Sequence, residues 1–398
     1  MGILDILNSK LGIVYKKISP IVYKYDVFGL PLIICILFGI DFLLSFSEMS
    51  SVISINETLF NILDLIKTIV LYSLLLIELT DSSTSIKTKF IFLLITFILF
   101  VNFYIYTYTS MFYELFIIAY IVRKYELKTI FNYLLCLFSS IFLINFAIFV
   151  VKSLSGQIDF FVIGRGLFGA SYLGTVYYNT AAMFIGSLLL MYVYVYNNNK
   201  TYIIATLINV ITFILTTSRT AFLVSQVAII TFFLCDKFDF IKTLLNKLSY
   251  VIFPFFSVVL VNFTFLYMKG NSIGLFVNKL LTGRLKLNAS AFSNVSLTFM
   301  GRSESIRQYI NGGNLDSLYI HSFFKYGLII YFLLMIIFYL ISKKENINNS
   351  ILIFIFSLYA ISETAMIDYR YYAAILVVVE FFKYLDEQKI DKETIWRN

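Results

Sequence analysis

The sequence predicts an all-α, polytopic membrane protein with about 12 transmembrane helices. Two observations carry this. Of the 398 residues, 60% are hydrophobic, with a mean hydropathy of +0.87, and 14% are charged, against about 25% charged in soluble domains. Apolar runs recur along the chain, each near the roughly 20 residues that a hydrocarbon core of about 30 Å requires. The net charge of +8 does not point to nucleic acid, because the basic residues fall at span ends and not on one continuous face.

Residues 1–26 mix Lys10, Lys16, Lys17 and Lys24 with Ile and Leu at irregular helical spacing. This fits an interfacial helix on the inner leaflet better than a cleaved signal peptide. Residues 27–384 then read as a single transmembrane domain, with spans expected at 28–46, 59–79, 90–108, 111–122, 130–151, 175–196, 201–217, 219–235, 250–268, 318–341, 350–366 and 371–384. The stretch 385–398 reads as a cytoplasmic tail with the basic residues Lys389, Lys392 and Arg397. Twelve spans put both termini on one side, and the basic residues identify it as the cytoplasm: Lys87, Lys89, Arg123, Lys124, Lys128, Lys200, Lys237, Lys242, Lys247, Lys343 and Lys344 all fall on connections assigned inside. Cys35, Cys136 and Cys235 sit singly in apolar segments and read as small core residues.

Arginine does not follow this pattern. Six of the eight (Arg165, Arg219, Arg284, Arg302, Arg307 and Arg370) fall on the side assigned outside, where topology asks for no positive charge. Guanidinium forks grip phosphate in a planar, bidentate way that ammonium groups cannot, so an outward-facing site for a phosphorylated ligand is expected. Two outer segments could hold it. Residues 152–174 are rich in glycine around Arg165. Residues 269–317 form a long extracytoplasmic loop, whose apolar pattern (Leu275, Phe276, Leu280, Leu281, Leu285, Leu287) predicts helix within it.

Several residues are candidates for chemistry. Arg219 opens a helix at a tight junction between two spans, where free backbone N–H groups and a cation point to one place; snorkelling to lipid headgroups is the plainer reading. Arg284, near Lys286, would add donors for a diphosphate. Asp316 stands at the start of an expected span, either as an N-cap or as a general base with a pKa held low by cations. His321 is the rival base. Asp64 and Lys67, three apart on one helix, predict an ion pair, and Glu114, Asp41 and Glu363 could hydrogen-bond sugar hydroxyls. No Walker loop, HExxH or Cys/His spacing is present, so neither a nucleotide nor a metal nor another cofactor is expected.

The tract Leu281-Thr282-Gly283-Arg284, then Gly301, Asp316-Ser317-Leu318-Tyr319 and Tyr326-Gly327-Leu328-Ile329, resembles the C-terminal signature of bacterial O-antigen and capsular polysaccharide polymerases of the Wzy type, relatives of the O-antigen ligases. Thr217-Ser218-Arg219-Thr220-Ala221 resembles the family's earlier arginine motif, and Tyr178-Asn179-Thr180-Ala181 its Asn-containing span. The resemblance implies a metal-independent glycosyltransferase of C-type (GT-C) architecture in the bacterial cytoplasmic membrane, joining undecaprenyl diphosphate-linked repeat units into a surface polysaccharide at the outer face. It implies Arg219 and Arg284 on the diphosphate leaving group and Asp316 as base; Arg165, Asn179, Arg302, Arg307, His321, Tyr319 and Arg370 are the further candidates for substrate contact. A flippase and a chain-length regulator would be partners. An O-antigen ligase, or a lipid-linked oligosaccharide flippase, stays open as the alternative.

Overall fold

The computed structural model describes residues 37–40, 42–44, 50, 56–81, 84–107, 111–161, 170–175, 177–281, 283–304, 306, 310, 315–363 and 373–395. Among the described residues all repeating structure is helical, with one isolated antiparallel bridge between Ser50 and Thr175. The helices in order are α1 (Glu57–Thr80), α2 (Ile86–Val101), α3 (Met111–Val122), α4 (Leu127–Leu154), α5 (Tyr178–Tyr196), α6 (Asn199–Thr216), α7 (Arg219–Lys237), α8 (Asp239–Met268), α9 (Ser272–Leu280), α10 (Arg284–Asn294), α11 (Leu318–His321), α12 (Leu328–Ser342), α13 (Ile347–Tyr359) and α14 (Val378–Ile395).

Six of these elements are long and apolar enough to cross a membrane: Ile86–Tyr104, which includes a π-helical extension of α2, and α4, α5, α6, α7 and α8. They coincide with the spans expected at 90–108, 130–151, 175–196, 201–217, 219–235 and 250–268. Other expected spans take different forms. The one at 318–341 is interrupted: α11 passes into a π turn at Ser322–Tyr326, Gly327 adopts φ 96°, and α12 restarts at Leu328 with 15 residues. The one at 371–384 begins, within the described residues, as a 3-10 turn (Ala373–Val377), and α14 then runs through Ile395 into the stretch assigned to the tail. Inside the long loop, α9 and α10 form the expected helical portion. Residues 1–26, and most of the span at 28–46, lie outside the described residues.

The chain divides into two compact units, residues 1–93, 117–233 and 385–398, and residues 94–116 and 234–384. In the first, α4 and α5 run antiparallel, with Phe131 against Tyr194 at one end and Phe138 and Phe142 against Phe184 further along. The α5–α6 turn is tight because Asn197 takes a left-handed conformation (φ 31°) and Asn198 caps α6 by accepting from Thr201 N at 3.0 Å. Asp64 and Lys67 pair at 3.2 Å, as their spacing predicts.

One end of this unit is tied by charge. Arg123, 2% exposed, donates to Glu78 at 3.0 Å and to Asp386 at 3.0 Å, and its guanidinium lies 3.9 Å from the Tyr120 ring centroid. Lys124 pairs with Glu78 at 3.1 Å and with Asp81 at 2.6 Å. Lys89 Nζ closes the group by donating to the Asp81 carbonyl at 2.6 Å. Acid and base are matched here, which is the condition under which charges tolerate burial. The cluster joins the end of α1, the start of α2, the end of α3 and α14.

The second unit is built around Phe253 of α8, whose ring packs against Tyr319, Tyr331, Phe338 and Phe356. Pairing across the Gly327 break is replaced by loop backbone. Leu328 N donates to Thr298 O, Ile329 N to Phe299 O, and Arg302 N to Lys325 O. Asn102 adds donors to the carbonyls of Met300 and Tyr326. Backbone groups freed where the helix stops are thereby satisfied within the protein, which an apolar setting demands. A Cβ at position 327 would collide with Phe299 O and Gly301 N, so only glycine fits there.

Candidate functional site

The long loop and the end of α13 bring three charged side chains together in the second unit. Arg284 is the first residue of α10, preceded by Gly283 at φ 90°. That turn is held by Asn278 of α9, whose carbonyl accepts from Gly283 N at 2.8 Å and whose Oδ1 accepts from Lys286 N at 3.0 Å. The guanidinium is thereby aimed back at the protein. Its Nη2 donates to Glu363 Oε1 at 3.0 Å and stands 3.7 Å from Asp316 Oδ2. Nη1 is buried with no hydrogen-bond partner among the described residues. An ionised donor left open in this way costs free energy until an acceptor reaches it.

The three partners are not equally enclosed. The side chains of Arg284 and Glu363 are 13% and 16% exposed, whereas Asp316 is 37% exposed and is the carboxylate that solvent or a ligand reaches. Asp316 does not cap α11. Ser317 occupies the N-cap, leaving the Asp316 carboxylate free to turn toward Arg284. Its expected low pKa is also corrected: burial pushes the carboxyl above the usual carboxylate range, and Arg284 offsets that only in part.

Beside this triad, Arg302, Lys325, His321 and Tyr319 of the second unit have structural partners. Arg302 Nη2 donates to the carbonyl and hydroxyl of Ser296 at 2.5 and 3.1 Å. Lys325 Nζ donates to the carbonyls of Arg302, Ser303 and Glu304 at 2.8, 3.1 and 3.3 Å, pinning the loop. His321, the rival base, is tied through Nδ1 to Leu315 O at 3.0 Å and its ring stacks on Tyr326 with centroids 4.9 Å apart. Tyr319, expected at the substrate, is fully buried, and its hydroxyl donates to Ser357 O at 2.8 Å, which ties it into the helix packing.

Arg219 belongs to the first unit, where it opens α7 as expected. Thr217 ahead of it holds a left-handed conformation, φ 54°, which is costly for a β-branched residue. Arg219 is exposed and makes no ion pair among the described residues. Asn179, also in the first unit, lies half-buried in the first turn of α5. Arg165, Arg307, Arg370, Asp41 and Cys35 lie outside the described residues. Cys136 corrects another expectation: it is exposed, whereas Cys235 is buried.

Glu363 as the direct partner of Arg284 is the feature that residue-by-residue reading missed. The two are 79 positions apart, and no local spacing links them. No protein-family model, curated protein or solved structure matches the chain.

Proposed function

We propose that this membrane protein is a metal-independent glycosyltransferase that polymerises polyprenyl diphosphate-linked oligosaccharide units at the outer face of a bacterial cytoplasmic membrane. The observation that carries the reading is the Arg284–Asp316–Glu363 triad: a partly open carboxylate beside a guanidinium that retains a free buried edge. The order and spacing of the motifs that resemble the Wzy-type polymerases support it further.

In this reading the acceptor sugar hydroxyl attacks the anomeric carbon of the donor, and Asp316 takes the hydroxyl proton. The bond from the anomeric carbon to the diphosphate oxygen breaks, and the negative charge that develops on the departing lipid diphosphate is met by Arg284 Nη1. Glu363 keeps the guanidinium in place through Nη2. Direct displacement inverts the anomeric centre. Charge sets one requirement. Two carboxylates already face Arg284, so a diphosphate can approach the guanidinium only once Asp316, the more exposed and more distant of the two, turns from Arg284 toward the acceptor hydroxyl, still ionised as the base.

The test is a reconstituted assay with purified lipid-diphosphate repeat units, read as a product ladder. Loss of the ladder in Arg284→Ala and Asp316→Asn, with folded protein, is expected. An undiminished ladder in both variants rules the reading out. A single transfer to a different acceptor, with no ladder, would identify a ligase.

A further inference from the structure

In the first unit a cavity of about 820 Å³ opens between α4, α5 and α6. Its lining is sorted by polarity along its length. Asn132, Tyr196, Asn198 and Lys200 gather at the end formed by the α5–α6 turn, where the Tyr196 hydroxyl reaches Asn132 Oδ1 at 3.4 Å. Leu143, Ile185 and Ile208 form the other end. The middle is less polar than its residue types suggest, because the Ser140 hydroxyl is turned back onto the Cys136 carbonyl at 2.8 Å.

Helical rise sets the length. From Lys200 to Ile208, and from Asn132 to Leu143, is about 12 to 17 Å along the helix axes, close to half of a hydrocarbon core of about 30 Å. The slot therefore has the depth of one leaflet. Leu143 is 62% exposed and Ile208 40%, leaving apolar wall uncovered. Lys200, the cation of the lining, has no ion-pair partner among the described residues.

From this we infer that the cavity is a binding site for an anionic phospholipid of the leaflet at the Lys200 end, its phosphate on Lys200 with Asn132 and Asn198 beside it, and one acyl chain along Leu143, Ile185 and Ile208. An acyl chain covers the exposed wall, and a phosphate answers the unpaired ammonium. A zwitterionic headgroup would bring its own cation to Lys200 and gain less.

Cys136 lines the cavity and is exposed, so it reports occupancy. The full-length protein is purified and relipidated with phosphatidylglycerol or phosphatidylcholine, and maleimide alkylation of the Cys136 peptide is timed by mass spectrometry. Alkylation about five-fold slower in phosphatidylglycerol is expected from one lysine–phosphate contact. Lys200→Glu and Lys200→Gln should abolish the difference, while Lys247→Glu, a lysine of the second unit, should keep it. Thermal melting confirms that each variant is folded. Equal rates in the two lipids, or protection that survives both Lys200 variants, overturns the proposal. Protection by a polyprenyl phosphate at a tenth of the phospholipid concentration also overturns it, since the occupant would then be a different lipid.

Discussion

Arg284 Nη2 donates to Glu363 Oε1 at 3.0 Å, joining the start of a loop helix to the turn that follows α13. Nη1 of the same guanidinium is buried without an acceptor among the described residues, so one arginine is anchored at one nitrogen and unpaired at another. Removing the anchor should differ from removing the arginine. Glu363→Gln keeps a neutral acceptor, and its product ladder should weaken by about ten-fold, the loss of one charge-assisted hydrogen bond. Arg284→Ala should abolish the ladder. Equal activity of Glu363→Gln and the unmodified chain would show that Glu363 does not position Arg284.

The raised pKa of Asp316 has a direct pH consequence. A base must be ionised to work, and burial shifts its ionisation upward from the usual carboxylate value. The acid limb of kcat/KM should therefore lie above the position that an ordinary aspartate would give. Glu363 and Arg284 face Asp316, so the limb should move again in Glu363→Gln. The same shift acts on stability. Folded protein holds the Asp316 proton more tightly than unfolded chain, so this group's destabilising effect is complete above its folded pKa and fades as pH falls toward its unfolded value. Thermal melting of Asp316→Asn against the unmodified chain, across that range, should show the difference shrinking on acidification.

Gly327 is enclosed by the 299–301 backbone with φ 96°. Gly327→Ala must both enter a forbidden backbone region and displace a carbonyl, and a loss of about 2 to 4 kcal/mol is expected. A melting temperature within a degree of the unmodified protein would contradict the described packing. Gly283, also at positive φ, has open space around it, so Gly283→Ala should cost less.

The cluster around Arg123 should be among the costliest in the molecule to break. Arg123→Ala leaves Asp386 without its partner and Glu78 with Lys124 alone, and unbalancing a buried charge cluster costs up to about 3 to 5 kcal/mol. Denaturation in mild detergent should show it. Asp386→Asn, at a site 31% exposed, should cost a fraction of that.

Arg219 tests the choice of guanidinium over ammonium. It opens α7 exposed and without an ion pair among the described residues, so its charge contributes little to the fold. Arg219→Lys should leave melting unchanged and lower polymer yield by about ten-fold if a planar fork is what the ligand needs. Full activity of Arg219→Lys would remove arginine chemistry from this position.

The amino-acid sequence by itself determined the all-helical membrane class, the position of six long apolar helices, the Asp64–Lys67 pair and the helix start at Arg219. Each follows from neighbours on one helix, where hydropathy and three-residue spacing act over short chain distances. Tertiary structure alone decided the rest. It broke the expected 318–341 span at Gly327, because loop backbone supplies hydrogen bonds that a continuous helix would otherwise make itself. It turned Asp316 from a helix cap into a partner of Arg284, and it placed Glu363 there from 79 residues away. Charges buried in a low-dielectric interior must find opposite charges wherever the chain crossing brings them, and that pairing is a property of the packed helices and not of any one segment.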